Sequence, residues 1–203
     1  MSKQWQKMRK HDQYYKQAKT HGYRSRAAYK LKQINKKFKI LRHGDYVLDL
    51  GAAPGGWTQV ALEIVGDRGK VIGVDLEPIT KINNATFLIG DITDDGIVEP
   101  ITKQIEDTKF DVIISDAAPN ISGNYSIDQA KSVYLAESAL NLAVQLLKPN
   151  GNLVIKVFEG EDFQQFFLKI KKAFRISKKF SPKASRARSS EIYVIGLDYQ
   201  SKN

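Results

Sequence analysis

The chain has 203 residues and a formal net charge of +10, with no cysteine and only three histidines. The lack of cysteine excludes disulfides, thiolate nucleophiles and cysteine-ligated metals, and so few histidines argue against a metal centre or a histidine-based triad. No apolar run approaches the roughly 20 residues of a membrane span, and the polar N-terminus has no signal-peptide core. We expect a soluble, cytoplasmic protein, without a metal or a membrane anchor, that acts as a monomer.

The positive charge is concentrated at the two ends of the chain. Residues 1–43 carry 14 lysines and arginines but one acidic residue, a net charge of +13. Residues 44–154 have a net charge of −9, and residues 155–203 a net charge of +6. The first segment also contains one tryptophan and several tyrosines. Lysines bind phosphates and aromatic rings stack on bases, so this pattern favours a nucleic acid as partner. A solvated basic tail without a ligand is the alternative.

Hydrophobic periodicity predicts the elements in chain order. Residues 1–22 show no clear period and are predicted to form an irregular basic arm, and an amphipathic helix with a basic outer face follows from Ser25 to Phe38. The later strands are predicted over 46–50, 71–75, 86–89, 110–116, 153–158, 175–180 and 192–197, and the later helices over 56–65, 98–105, 128–147 and 162–174.

Strict alternation of strands and helices is typical of a mostly parallel sheet with helices on both faces. The segment between the last two strands is too short for a helical crossover, so the last strand is predicted to be antiparallel. We therefore predict an α/β fold in one domain, 1–203. A basic N-terminal arm and helix (1–43) precede a catalytic core (44–203).

A glycine-rich turn follows the first strand of the core. It joins a buried strand to a helix, the arrangement in which a nucleotide-like ligand lies against a helix N-terminus. Its glycines are Gly51, Gly55 and Gly56. Ala53 stands where a dinucleotide fingerprint has the glycine that admits a pyrophosphate, and Trp57 stands where a P-loop has its lysine. A turn without a phosphate grip favours S-adenosylmethionine over NAD, and an oxidoreductase is the weakest alternative.

Two acidic residues support this ligand. Asp75 closes the second strand of the core, where a carboxylate commonly accepts hydrogen bonds from ribose hydroxyls. Asp91 follows the third strand and could accept a hydrogen bond from an adenine amino group. Acidic residues at strand ends also cap loops. The two residues therefore support this ligand only in combination with the glycine turn.

Three ionisable residues are predicted to converge at one edge of the sheet. Lys156 interrupts an apolar strand, although a lysine is rarely buried without a partner. Asp116 ends the fourth strand, and Glu191 opens an antiparallel one. Their positions meet at the crevice where open α/β sheets bind ligands, and Lys30 of the N-terminal helix could close the group from above. A Lys156 side chain that extends to the sheet edge without a function is the alternative.

Five motifs closely resemble the FtsJ/RrmJ family of S-adenosylmethionine-dependent RNA ribose 2′-O-methyltransferases. They are Asp-Leu-Gly-Ala-Ala-Pro-Gly-Gly-Trp at 49–57, Ser-Arg-Ala at 25–27 with Lys30, Ser-Asp-Ala-Ala-Pro-Asn at 115–120, Lys-Val-Phe at 156–158 and Ser-Arg-Ala-Arg-Ser-Ser-Glu at 185–191. The resemblance covers about residues 23–197 and implies a Rossmann-like methyltransferase sandwich with a seven-stranded sheet. It also implies the ribosomal-RNA branch of the family, which methylates a uridine of the large-subunit RNA.

The family's Lys-Asp-Lys-Glu tetrad maps onto Lys30, Asp116, Lys156 and Glu191. A ribose hydroxyl is a poor nucleophile, so the enzyme must align it with the methyl group and remove its proton. Our hypothesis is that Lys156 is the general base or orients the 2′-oxygen. Asp116 would then position Lys156 and the methyl donor, while Lys30 and Glu191 place the ribose.

Two further sets of residues are predicted to bind ligands. The cofactor set is Gly51, Ala53, Pro54, Gly55, Gly56, Trp57, Asp75, Leu76, Asp91, Ile92 and Asp116. The RNA set is Arg24, Arg26, Lys32, Lys36, Lys37, Arg186 and Arg188, which should grip phosphates and set the register on the RNA.

Two other functions remain open at this point. Sister branches of the family share the tetrad, so a 2′-O-methyltransferase of the tRNA anticodon loop is the nearest alternative. A non-catalytic RNA-binding protein on the same scaffold is the alternative from another class. The intact tetrad argues against it.

Overall fold

The computed structural model describes residues 12–106, 108–186 and 189–201. Its centre is a seven-stranded sheet in the order β3-β2-β1-β4-β5-β7-β6. The strands are β1 (Tyr46–Leu50), β2 (Lys70–Asp75), β3 (Ala85–Ile89), β4 (Phe110–Ser115), β5 (Leu147–Phe158), β6 (Phe174–Phe180) and β7 (Glu191–Tyr199). Strands β1 to β5 pair in parallel, and β7 runs antiparallel between β5 and β6. The predicted sheet, mostly parallel with an antiparallel last strand, is confirmed.

Helices cover both faces of the sheet, as predicted. They are α1 (Gln13–Thr20), α2 (Ala28–Phe38), α3 (Gly56–Val65), α4 (Val98–Lys103), α5 (Tyr125–Leu146) and α6 (Phe163–Ala173), with short 3₁₀ turns before β2 and α4. Because side chains alternate along a strand, Leu48 of β1 belongs to the core on the face covered by α4, α5 and α6, whereas Val47 belongs to the core on the face covered by α1, α2 and α3. No helix among the described residues is long and apolar enough to cross a membrane.

The N-terminal arm is partly helical, which corrects the prediction of an irregular segment over 1–22. Residues 1–11 lie outside the described residues, but α1 follows them. The Asp12 side chain caps α1 by accepting a hydrogen bond from the Tyr15 amide (3.1 Å). The Tyr14 ring packs 5.6 Å from the Tyr29 ring, and its hydroxyl accepts a hydrogen bond from Gln33 of α2. Tertiary contacts therefore stabilise a helix too short to form alone.

Two elements start earlier in the chain than predicted. Helix α5 starts before residue 128, because the Asn124 side chain accepts hydrogen bonds from the amides of Ser126 and Ile127. Strand β5 starts at Leu147 rather than residue 153, with a register irregularity opposite β4 between Phe110 and Val112.

The strand order identifies the edge of the sheet at which a ligand is expected to bind. Strands β1 and β4 are neighbours, but β2 and β3 continue from β1 on one side while β5 continues from β4 on the other. The crevice at such a switch point, outside the carboxyl ends of the strands, is the usual ligand site of open α/β sheets. The start of β7 lies at this same edge, because Glu191 pairs with Phe158 at the end of β5.

Candidate active site

The glycine turn between β1 and α3 depends on its glycines. Gly51 and Gly55 have φ angles of 72° and 106°, which side-chain-bearing residues rarely adopt. A Cβ atom on Gly51 would also lie 2.7 Å from Ala117, which follows β4. The turn is fixed to β2, since the Ala53 amide donates to the Asp75 carboxylate (2.8 Å). The backbone can therefore closely approach both β4 and a ligand.

A cavity of about 630 Å³ opens beside this turn, within the usual range for ligand sites. Seven of the residues predicted for the cofactor line it: Gly51, Ala53, Asp75, Leu76, Asp91, Ile92 and Asp116. Sequence reasoning missed the remaining lining residues, which are Glu77, Gly90, Ala117, Ala118, Pro119, Asn120, Lys131, Tyr134 and Leu135. Four of these, Ala117 to Asn120, belong to the motif that contains Asp116, so contiguity with that motif was the available signal.

The other predicted cofactor residues, Pro54, Gly55, Gly56 and Trp57, do not line the cavity. The Trp57 side chain is buried and donates a hydrogen bond from Nε1 to the Ala27 carbonyl (2.8 Å). Trp57 belongs to the predicted cofactor set, but its ring faces the N-terminal segment. A contact from Trp57 to a ligand would have to come from its backbone amide, which belongs to the first turn of α3.

The two acidic residues predicted to contact adenosine both line the cavity. Asp75 is half-buried and, besides Ala53, accepts a hydrogen bond from the Glu77 amide (3.0 Å). Asp91 is exposed and accepts from the amide and the hydroxyl of Thr93 through Oδ1 (2.8 Å each). Both carboxylates therefore have fixed orientations.

Lys156 and Asp116 form a buried pair at the ends of β5 and β4. Lys156 is 8% exposed, and its Nζ lies 3.0 Å from Asp116 Oδ1 and donates to the Asp116 carbonyl. Burial alone would raise the pKa of the Asp116 carboxyl. The charge of Lys156 and, after it, that of Lys30 lower this pKa and outweigh burial, so it lies below its ordinary value. Asp116 is therefore ionised at neutral pH.

Lys30 and Glu191 form a second pair beside the first. Lys30 Nζ lies 2.6 Å from Glu191 Oε1, and both side chains are nearly buried. Burial opposes ionisation of Glu191, yet the charge of Lys30 dominates and lowers the pKa of this carboxyl. The predicted outward basic face of α2 is thus wrong for Lys30, which points into the protein, as the predicted convergence of the four residues requires.

Tyr193 links the two pairs, and sequence reasoning missed it. Its hydroxyl donates to Asp116 Oδ1 (2.7 Å), and Lys30 Nζ lies 5.6 Å from its ring centre. Burial and then Asp116 raise the pKa of this phenol well above its ordinary value, so it remains a hydrogen-bond donor. Residues two apart on a strand share a face. The position of Tyr193 relative to Glu191 could therefore have predicted that Tyr193 lies at the site.

The site therefore holds two lysine side chains, two ionised carboxylates and a phenol beside the cavity. These groups can bind a hydroxyl, orient it and take up its proton. Among the described residues, no cluster of three or more histidine or acidic side chains could hold a metal ion.

The cations predicted to grip RNA phosphates fall into two groups. Arg26 pairs with Asp12 and donates to the Ala184 carbonyl, and Lys32 pairs with Glu63 at 3.1 Å. Arg24 donates to three backbone carbonyls. These three residues therefore have partners within the chain, and their contact with RNA phosphates stays a prediction. Lys36, Lys37 and Arg186 are exposed, and Arg188 lies outside the described residues.

Known proteins resemble this chain along most of its length. Residues 23–199 match the FtsJ-like methyltransferase family. A protein of Methanobrevibacter smithii named "Ribosomal RNA large subunit methyltransferase E" is 48% identical over 204 residues, covering 100% of this chain and 97% of its own. One of the same name from Archaeoglobus fulgidus is 51% identical over 189 residues, covering 93% and 96% of the two chains.

The fold comparison agrees with the sequence comparison. The crystal structure of a protein described as a ribosomal RNA methyltransferase from Plasmodium falciparum superposes with a TM-score of 0.79 at 30% identity, covering 89% of this chain and 100% of the other. The family resemblance deduced from the motifs is confirmed: the chain belongs to the FtsJ-like methyltransferase family.

Proposed function

We propose that this enzyme transfers a methyl group from S-adenosylmethionine to the ribose 2′-hydroxyl of a uridine in large-subunit ribosomal RNA. The arrangement of Lys30, Asp116, Lys156 and Glu191 beside the cavity carries the proposal, because it can bind and deprotonate an alcohol. The names of the relatives from M. smithii and A. fulgidus support large-subunit RNA as the substrate.

The charge of the cavity supports the cofactor. Its lining contains four acidic residues, Asp75, Glu77, Asp91 and Asp116, against one lysine, Lys131. An anionic cavity favours a ligand with a positive charge and disfavours a pyrophosphate. S-adenosylmethionine carries a sulfonium, has no phosphate and offers ribose hydroxyls as donors to carboxylates such as Asp75. It supplies the electrophilic methyl group when bound.

We assign the proton transfer to Lys156. Asp116 and Glu191 both have lowered pKa values, because each is paired with a lysine, and a carboxylate with a lowered pKa is a weak base. Lys156 is therefore the proton acceptor in this proposal: its ammonium first releases a proton to solvent, and the resulting amine takes up the proton of the 2′-hydroxyl as the oxygen bonds to the methyl carbon. In this proposal Asp116 holds Lys156 in position at 3.0 Å, and Lys30 with Glu191 orients the ribose.

The exposed cations Lys36, Lys37 and Arg186 contribute phosphate contacts in this proposal. All four members of the tetrad come from one chain, so a monomer can form the complete site. A cytoplasmic location follows from the proposed substrate.

The test uses ribosomal RNA and tRNA from cells that lack the gene. Purified enzyme and S-adenosylmethionine with a labelled methyl group are added to each RNA, and methylated riboses are mapped as positions resistant to alkaline cleavage. The proposal predicts label at one uridine of the large-subunit RNA. Label in the tRNA anticodon loop would move the enzyme to the sister branch, and absence of label in every RNA would contradict the catalytic function.

A further inference from the structure

Arg24 lies in the segment that precedes α2, and its guanidinium joins two loops of the cofactor cavity. Nη1 donates to the carbonyls of Pro54 (3.1 Å) and Thr80 (2.5 Å), and Nη2 donates to the carbonyl of Lys81 (2.9 Å). Pro54 belongs to the glycine turn, while Thr80 and Lys81 belong to the loop over 76–84 that follows β2. One side chain therefore connects both loops.

The loop over 76–84 forms part of the cofactor cavity. It has no regular secondary structure between β2 and β3, and most of its residues are exposed. Yet Leu76 and Glu77 at its start line the cavity, and a Cβ atom on Gly55 would lie 2.8 Å from Ile82 near its end. The position of this loop against the glycine turn thus defines one side of the cofactor site.

The backbone around Arg24 is fixed to α3. Its amide donates to Gln59 Oε1 (2.8 Å), and Gln59 Nε2 donates to the Gly22 carbonyl (3.0 Å). Three residues after Arg24, the Ala27 carbonyl accepts the Trp57 hydrogen bond, and α2 with Lys30 begins directly afterwards. A movement of the glycine turn or of α3 would therefore be transmitted to the helix that carries Lys30.

We propose that Arg24 is a positioning residue through which cofactor binding orders the segment that carries Lys30. This inference rests on the proposed cofactor. It replaces a phosphate contact by a structural connection: the guanidinium holds the loops in their binding arrangement, and an occupied cavity stabilises the connection in return. If the segment that carries Lys30 affects cofactor affinity, then cofactor binding must stabilise that segment by the same free energy.

The first test is the affinity for S-adenosylmethionine without RNA, measured by calorimetry. Arg24→Lys keeps the charge, but a single ammonium cannot span carbonyls of two loops. We expect the variant to bind S-adenosylmethionine roughly tenfold more weakly. The matched control is Arg68→Lys, at an exposed arginine in the 3₁₀ turn before β2, which should bind like the wild type. Wild-type affinity in Arg24→Lys would overturn the inference.

The second test separates coupling from a general loss of stability. In the wild type, saturating S-adenosylmethionine should slow amide hydrogen exchange over 23–34, and in Arg24→Lys at saturation this protection should be lost. If the rate of amide hydrogen exchange over 23–34 in the wild type is the same with and without S-adenosylmethionine, the proposed coupling is wrong.

The third test addresses the competing role in RNA binding. Arg24→Gln should leave the slope of log affinity for RNA against log salt concentration unchanged. A slope reduced by about 0.7 to 0.9 would assign the guanidinium to a phosphate instead and overturn the inference. The wild type could transfer methyl groups to RNA while Arg24→Lys binds the cofactor with unaltered affinity. That result would leave the proposed function intact but would exclude the positioning role of Arg24.

Discussion

The Tyr193 hydroxyl lies 2.7 Å from Asp116 Oδ1, the same oxygen that lies 3.0 Å from Lys156 Nζ. Asp116 therefore receives a neutral and a charged donor on one oxygen. The phenol ring is fully buried, with the Trp57 ring 5.7 Å away and the Lys30 ammonium 5.6 Å from its centre. Through Tyr193, the glycine turn, the carboxylate and both lysines of the site form one packed unit.

Tyr193→Phe tests this unit. The hydrogen bond from Tyr193 lowers the pKa of Asp116, so its loss should raise that pKa, which a ¹³C NMR titration of the Asp116 carboxyl measures directly. We also expect the rate of methyl transfer at neutral pH to fall by about tenfold, since Asp116 loses one of its donors. The matched control is Tyr199→Phe on the same strand, whose hydroxyl donates to the Val144 carbonyl far from the site. An unchanged Asp116 pKa in Tyr193→Phe would show that the phenol does not influence Asp116.

Lys156→Met tests the assignment of the proton acceptor. The variant keeps the apolar stem but has no amine, so methyl transfer should fall by roughly 10² to 10⁴, the usual contribution of a general base. Binding of S-adenosylmethionine, measured by calorimetry, should stay within a few-fold of the wild type. Strand β5 offers a matched control in Lys148, which is also paired with an aspartate, Asp111, at 2.8 Å. Lys148→Met should transfer methyl groups at the wild-type rate. A Lys156→Met enzyme with that same rate would remove the lysine from the mechanism.

The exposed cations predict a measurable salt dependence of RNA binding. Lys36→Gln combined with Arg186→Gln removes two charges, and the slope of log affinity against log salt should decrease by about 0.7 to 0.9 for each phosphate that is no longer neutralised. Cofactor affinity should not change, because neither side chain lines the cavity. The double variant Lys103→Gln and Lys169→Gln serves as the control with the same change in net charge. If both double variants gave equal slopes, the RNA-binding cations would have to be sought elsewhere on the chain.

Sequence reasoning predicted the positions that the sheet topology determines. Asp116, Lys156 and Glu191 could be placed together because parallel strand ends and the start of an antiparallel strand share one edge. The contacts of α1 and of Arg24 could not be predicted in this way. Helix α1 has no strong apolar period and is stabilised by the Tyr14–Tyr29 contact, and the charge of Arg24 does not reveal that its partners are backbone carbonyls distant in sequence. Such contacts depend on loop conformations, which periodicity does not encode.

A buried carboxyl beneath the glycine turn predicts how stability varies with pH. Asp49 of β1 is fully buried, and its Oδ2 accepts a hydrogen bond from the Thr58 hydroxyl (2.7 Å), while its Oδ1 has no donor among the described residues. Burial is the main cause that raises the pKa of Asp49 to about 7, with the charges of Asp116 and Asp75 as further causes and the Thr58 hydrogen bond acting in the opposite direction.

The sign of the effect follows from proton binding. Between the unfolded pKa, about 3.9, and the folded pKa, the folded state retains a proton that the unfolded state has lost, so this group makes the free energy of unfolding fall as pH rises. The full loss is on the order of 4 kcal/mol and is complete above the folded pKa of about 7. Asp49→Asn removes the titration and can still accept the Thr58 hydrogen bond. Subtracting the wild-type free energy of unfolding from that of the variant also cancels the opposite slope from Asp116 and Glu191.

We therefore expect that difference, measured by urea denaturation, to rise with pH over this window and then to level off. Thr58→Val removes the hydrogen bond that lowers the pKa of Asp49, so in this background the window should extend to higher pH. A difference that stays constant from acid to neutral pH would mean that Asp49 ionises with an ordinary pKa. The space around its second oxygen would then have to contain a donor, such as water, that compensates for burial.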